Sequence, residues 1–563
     1  MINQMANQPS SLSADYGAYY NLGTYHRPIT TTSEEAQKWF DRGLIWCFAF
    51  NHEEAAECFE RAIEADPSCA MAYWGLGYAL GPNYNKPWEA FDEEEMAGAA
   101  RRTHDALMEA DKKAAGASPV ERHLIEALRF RYPQRAPAKD WSIWNRYYAD
   151  AMQNVYARYH DDLDVVALYA DALMNLRPWG LWDLRTGEPA RGSDALLIKR
   201  ILERAMQQPG GDVHPGILHL YIHLMEMSAS PESALTVADR LRGLVPDAGH
   251  LAHMPSHIDI LCGDYRRAIA SNTAAVRADE KFVARSGPIN FYTLYRAHDY
   301  HFRIYAAMFS GQSRIALDTA AELEKAIPEE LLRVESPPMA DWLEGFLAMR
   351  VHILIRFGLW DDIARLELPG DKALYCSTTA MIHYAKGVGL AATGHIADAE
   401  KEQQLFRKAV KLVPDSRTVF NNKCVEVLAV AAAMLEGELE YRRGNFESAF
   451  EHLRRSIELD DSLPYDEPWG WMQPTRHAYG ALLLEQGRVK EAAAVYCADL
   501  GFDQTLPRAR QHPNNVWSLH GYRECLSKLG RTAETGIVLS LLKLALAVAD
   551  VPIKSSCFCR RSS

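Results

Sequence analysis

Eight of the chain's 20 histidines fall between His214 and His301, in the segments HPGILHLYIHLME, GHLAHMPSHIDIL and YRAHDYHFRIY. Even scattering would place roughly three there. Spacing matters as much as number. His219 and His223 stand four apart, as do His253 and His257. Residues four apart on a helix lie one above the other with Cβ atoms about 6 Å apart, so H-x-x-x-H can offer two imidazoles to one ion. A lone histidine, such as His214, His477 or His520, reads as a hydrogen-bonded structural residue. The remaining seven (His219, His223, His250, His253, His257, His298, His301) would repel one another if protonated and need partners if neutral, so a metal is the cheaper explanation. Ligation dominated by imidazole suits copper, iron or zinc and fits magnesium or calcium badly. Glu226, three after His223, could bridge two ions, act as a base or orient an imidazole.

Such residues need elements to hold them. At 563 residues the chain exceeds a single globular core, so it forms several domains or one repeat array. After an N-terminal arm over 1–32, the segment EAQKWFDRGLIWCFAFNHEEAAECFERAIEADPS sets the architecture. Trp39, Gly43, Ala55, Phe59, Ala62 and Pro67 stand at the spacing of a 34-residue helical repeat. Gly43 and Ala55 are small where two antiparallel helices press together, Phe59 and Trp39 fill the gap, and Pro67 ends the second helix. These residues identify a resemblance to the tetratricopeptide-repeat (TPR) family, secure at four or five repeats of residues 33–550 and looser elsewhere. The resemblance implies an all-α fold, a right-handed superhelix of antiparallel helix pairs with a convex back and a concave groove.

The repeat opens again at Tyr73 and Gly77, then breaks at GPNYNKPW; a second insertion, RPWGLWDLRTGEPARGS, interrupts the array later. Both read as loops. Further small-residue pairs recur at Gly387 with Ala399, Gly437 with Ala449 and Gly480 with Ala492, and helices from Val516 to about Val551 cap the array. The tail 551–563 reads as disordered.

The repeat fixes a register. With Ala234, Ala268 and Ala316 each set at position 20, His219 and His223 fall at positions 5 and 9 and Glu226 at 12. His250, His253 and His257 fall at 2, 5 and 9, and His298, His301 and Tyr305 at 2, 5 and 9. In the TPR family, positions 2, 5, 9, 12 and 13 line the groove. The resemblance therefore implies a histidine-rich groove over 214–305 with seven imidazoles facing one cavity. Trp74 and Tyr78, at positions 5 and 9 of the second repeat, are either core or walls for a small-molecule substrate, and Asp171 lies at about position 9 of an earlier groove helix. Pro255 either kinks its helix, keeping His253 and His257 on one face, or starts it.

Composition excludes several classes. A net charge of −13 with no clustered Lys/Arg face argues against nucleic acid. No apolar run approaches the ~18 residues of a membrane span. The N-terminal residues form neither a signal nor a transit peptide, which makes the cytoplasm the expected location. The ten cysteines read as reduced and mostly buried, Cys47 as a small core hydrophobe, and Cys557 with Cys559 as too few for zinc. Glycine-loop nucleotide motifs, G-x-S-x-G and H-E-x-x-H are missing.

The expectation is a metal-dependent enzyme acting on a small organic molecule, with Glu226 and Tyr305 as catalytic candidates and the seven histidines as ligands. An oxidoreductase using copper or iron is favoured, and zinc would imply hydrolysis or Lewis-acid chemistry. The whole chain also resembles large bacterial and fungal TPR proteins with similar HxxxH and HMPSHI segments; some fungal ones accompany natural-product pathways, which implies secondary metabolism. The alternatives are a scaffold for a peptide or protein partner, the commonest use of the repeat, and a metal-binding chaperone or store. A peptide groove wants Lys, Arg and Asn or an apolar strip, whereas this one offers His, Glu and Tyr.

Overall fold

A computed structural model of the protein describes residues 19–560. Helices follow one another almost without interruption, in pairs such as Glu34–Phe48 with His52–Ala65, Cys376–Thr393 with Ile396–Val410, and Cys424–Arg442 with Phe446–Ser462. The pairing has the cause read from the sequence. A Cβ on Gly43 would lie 2.8 Å from the Phe59 ring, and one on Gly480 would lie 2.6 Å from Tyr496, so the helices approach at distances only glycine permits. The array is an all-α solenoid. Among the described residues, strand pairing is confined to a short hairpin, Thr418–Val419 against Asn422–Lys423, where no strand was expected, and two isolated bridges, Asn83 with Lys86 and Trp182 with Pro189. No described helix is long and apolar enough to cross a membrane.

The register carries through to the groove. With Ala399, Ala449 and Ala492 at position 20, positions 5 and 9 are Tyr384 and Val388, then Met434 and Glu438, and position 5 of the last is His477. These five line a cavity of about 40 Å³. Its cover corrects an expectation. The tail, expected to be disordered, packs there from 551 to 560: Cys557, Phe558 and Cys559 close the cavity, Arg356 Nη1 donates to the Ser556 carbonyl at 2.9 Å, and Arg560 pairs with Glu524 at 2.7 and 3.0 Å. Ser556 Oγ also donates to the His477 carbonyl at 2.8 Å, and such bonds offset the entropy of ordering the tail. Cys557 and Cys559 form a disulfide, so these two are not the reduced thiols expected; the other eight are free.

The arm likewise packs over the array, from residue 19 on; 1–18 lie outside the described residues, as do 561–563 of the tail. Arg27 Nη1 reaches Asp162 at 2.8 Å and Asp164 at 2.6 Å, and Asn21 N–H donates to Asp247 at 2.7 Å. Burial alone would raise Asp164, yet Arg27, with His214 and Tyr25, holds its carboxyl below the ordinary range.

Candidate metal centre

The histidines sit on three groove helices. Pro215–Met225 carries His219 and His223. Its start is fixed by His214, whose Nδ1 accepts from Ile217 N–H while its other nitrogen meets Asp164 at 3.1 Å, so His214 is structural. Pro255 kinks its segment: Gly249–His253 ends, Met254 stays in the right-handed helical region, and Pro255–Leu261 continues. His253 and His257 stay together, with Nε2 atoms 2.8 Å apart. Thr293–Phe309 supplies His298 and His301.

Six of the seven imidazoles fall into two triads. His219, His223 and His250 present ligand atoms within 4.8 Å of one another, and so do His253, His257 and His298. All six are buried. The triads adjoin, with ring centroids 5.8 Å apart for both His223–His257 and His250–His253. His301 does not join them. It lies at the next groove position along its helix from His298, and its Nε2 meets Met472 Sδ at 2.8 Å.

Tautomers follow from the partners. His219 Nδ1 lies 2.6 Å from the Phe48 carbonyl, which can only accept, so Nδ1 carries the proton and Nε2 the lone pair. Phe48 comes that close because Gly216 is under its ring, where a Cβ would lie 2.7 Å away. His253 Nδ1 lies 2.7 Å from Asn272 Oδ1. Asn272 cannot be flipped, since its Nδ2 donates to the Ala268 carbonyl at 2.8 Å. His257 Nδ1 lies between two carboxylates, Glu226 at 2.6 Å and Glu467 at 2.7 Å. His223 Nδ1 lies 2.9 Å from the other Glu226 oxygen. Four Nδ1–H groups are thus tied outward and four Nε2 atoms point inward, the arrangement by which outer partners orient metal-binding imidazoles. His223 Nε2 has no protein partner among the described residues.

Burial pushes His219, His250, His253 and His298 well below the ordinary imidazole value, with neighbouring histidines adding to the effect. Burial lowers His223 too. Neutral imidazoles are what a metal requires. His257 differs: burial would lower it, but Glu226 and Glu467 raise it to about 10. Burial would raise Glu226, yet His257 and His223 hold it down, while burial pushes Glu467 up.

The cover over the site is aromatic and strained. Phe50, Trp179 and Phe420 hold φ of 55°, 56° and 47°; the fourth described non-glycine residue in that left-handed region is Asn514. All three aromatics face imidazoles. Phe50 packs on His219 with centroids 4.5 Å apart, Trp179 on His223 at 5.7 Å and Phe420 on His298 at 4.7 Å. Bulky residues rarely adopt this conformation, and such strain collects at functional sites. Both insertions take part, since Tyr84 of GPNYNKPW packs on His223 at 5.2 Å and on Trp179 at 5.1 Å.

The other candidates lie elsewhere. Trp74 and Tyr78 stack on each other at 5.5 Å, and the Tyr78 hydroxyl donates to Asp171 at 2.9 Å. Tyr78 and Asp171 share a small cavity of about 10 Å³ with Phe50 and His219, the size of one water. Tyr305 packs on Phe309 at 4.5 Å rather than on an imidazole. Reasoning from sequence missed Glu467, Asn272 and the part that Phe50 and Phe420 play in the cover. Glu467 lies 210 residues from His257, in a turn with no periodicity to reveal it.

A family model described as Tetratricopeptide repeat matches residues 51–80. No curated protein matches the chain. Among solved structures, the chain is similar to the APC/C hetero-tetramer Cut9–Hcn1 (14% identity, 92% of this chain and 78% of that one, TM-score 0.30). It is similar to Naa15/Naa10 bound to HypK-THB (14%, 91% and 70%, TM-score 0.22) and to yeast Tom70 (11%, 91% and 96%, TM-score 0.30).

Proposed function

We propose that this tetratricopeptide-repeat chain holds two transition-metal ions inside its solenoid, one on each histidine triad. One observation carries the reading. His253 and His257 turn Nε2 atoms toward each other at 2.8 Å while their Nδ1 atoms are both committed to acceptors. Two facing lone pairs repel, so a cation belongs at that edge, either a metal ion or a proton on His257. The remaining imidazoles favour the metal, because a single proton on His257 leaves His223 Nε2, His250 Nδ1 and His298 Nδ1 without partners among the described residues. All-imidazole ligation fits copper, iron or zinc. Copper or iron would supply redox chemistry toward O₂, and zinc would supply Lewis acidity. Oxidation of a small organic molecule is the activity this donor set supports, with Glu226 orienting His223 and His257 rather than acting as a base. The test is a titration of chelator-treated protein with Cu⁺, Fe²⁺ and Zn²⁺: tight binding of two equivalents of one of them is expected, and saturation below one would contradict the reading.

A second reading, a scaffold for a protein partner, is favoured by the C-terminal groove, where an extended segment of the chain's own tail lies against positions 5 and 9. Full-length protein carrying Arg560→Glu, which opposes Glu524, should retain a partner from native extract that the unchanged chain does not. Identical sets of retained proteins would count against it.

A further inference from the structure

The N-terminal half holds a charged group that the metal centre does not use. Arg131 follows the helix Pro119–Arg129 and is 0% exposed. Its Nε, Nη1 and Nη2 have no hydrogen-bond partner among the described residues. Asp171 is a carboxylate whose charge bears on it, but Asp171 is occupied, accepting from Tyr78 at 2.9 Å and from Asn175 at 2.9 Å. The guanidinium carbon instead stands 5.1 Å from the centre of the Tyr148 ring.

Around Arg131 the unsatisfied groups are again able to donate. The Tyr132 and Tyr148 hydroxyls and the Trp74 and Trp88 indole nitrogens are buried and unpartnered. Trp74 joins them through its stack on Tyr78 at 5.5 Å. Arg131 lies within electrostatic reach of Tyr132, Tyr148, Tyr78 and Asp171, and Trp88 packs edge-on to Tyr132 at 6.1 Å. The Tyr132 hydroxyl enters only because residue 81 is glycine, where a Cβ would fall 1.6 Å from it. A buried guanidinium without acceptors is among the costliest arrangements a core can hold. The missing element is an acceptor, and neighbours that can themselves donate mark it as an oxyanion.

We propose that Arg131 anchors a binding site for the carboxylate of a small organic acid. Charge narrows the class: Asp171 already bears on the guanidinium, so a carboxylate adds one further negative charge to the buried site where a phosphate dianion would add two. The aromatic rings of Trp74, Trp88 and Tyr148 suit the carbon part of such an acid. The site stands apart from the metal reading and does not depend on it.

Thermal unfolding of the full chain is measured with formate, acetate and benzoate, with chloride at equal ionic strength and with inorganic phosphate. At least one carboxylate should raise the midpoint by several degrees at about 100-fold excess over its Kd, with chloride and phosphate inert. Arg131→Met should abolish that response and leave bound metal unchanged. If Arg131→Met does not fold, Tyr148→Phe should weaken the carboxylate at least several-fold. No carboxylate effect on the unchanged chain, an equal effect in Arg131→Met, full affinity in Tyr148→Phe, or a phosphate or chloride effect as large as the carboxylate's would overturn the assignment.

Discussion

Glu226 joins the two histidine triads: one carboxylate oxygen lies 2.9 Å from His223 Nδ1 and the other 2.6 Å from His257 Nδ1. One side chain therefore fixes a ring in each triad, and the charge it carries is stabilised by both. Glu226→Gln replaces one acceptor oxygen with a donor, which can no longer take the proton from His257 or His223. Metal affinity should fall about 10–100-fold while the helical signal is kept, the usual cost of removing an outer partner. Unchanged affinity by competition with a chelator would show that the carboxylate does not orient the rings.

Trp179 covers His223 from a strained backbone. Trp179→Gly removes the strain, about 1 kcal/mol, as well as the ring. Stability should change little while metal passes to a chelator several-fold faster. A slow rate equal to that of the unchanged chain would mean that the aromatic cover does not control access.

Arg27 and Asp164 tie the N-terminal segment to the array. Removing one partner of a buried pair costs about 3–5 kcal/mol, so Arg27→Ala should lower the unfolding midpoint clearly at neutral pH. The sign of the pH effect follows from Asp164, whose folded value lies below its unfolded one. The stability it contributes is present above the unfolded value and is lost as pH falls through the folded one. The difference between Arg27→Ala and the unchanged chain should therefore narrow below about pH 4. A difference that stays constant down to the acid transition would remove the pair from the account.

Much of this architecture was legible in the chain. The residues that recur at helix contacts, Gly43 with Phe59 or Gly480 with Ala492, set a register, and that register placed His219, His223, His253 and His257 on the inner face. It also places Tyr384, Val388, Met434 and Glu438 in the C-terminal groove. Local periodicity reports which way a side chain faces along its own helix and nothing about what the superhelix brings opposite. Glu467 therefore went unseen, although it contacts His257, and His301 was grouped with rings it does not join. The tail was misread for a related reason: VPIKSSCFCR is short and has no periodicity of its own, and its order comes from Arg356, Glu524 and Trp517, all distant in sequence. Arg131 carried no signal, since a single arginine near a helix end is ordinarily exposed.

The tail gives a further expectation. Phe558 packs on Trp517, with ring centroids 6.1 Å apart. Arg560→Glu should expose Phe558 and speed backbone hydrogen exchange over 551–560 by at least tenfold, a change of about 1.4 kcal/mol in local opening. Unaltered exchange in that segment would show that the Glu524 pair does not hold it.

The most direct measurement is elemental analysis of protein purified without chelator or metal-affinity resin, beside the variant His253→Ala with His257→Ala. Close to two equivalents of copper, iron or zinc are expected in the unchanged chain and a clear loss of metal in the variant, with both equally helical. A chain that carries no metal and takes none up, or a double variant that keeps its full metal complement, would contradict the metal reading.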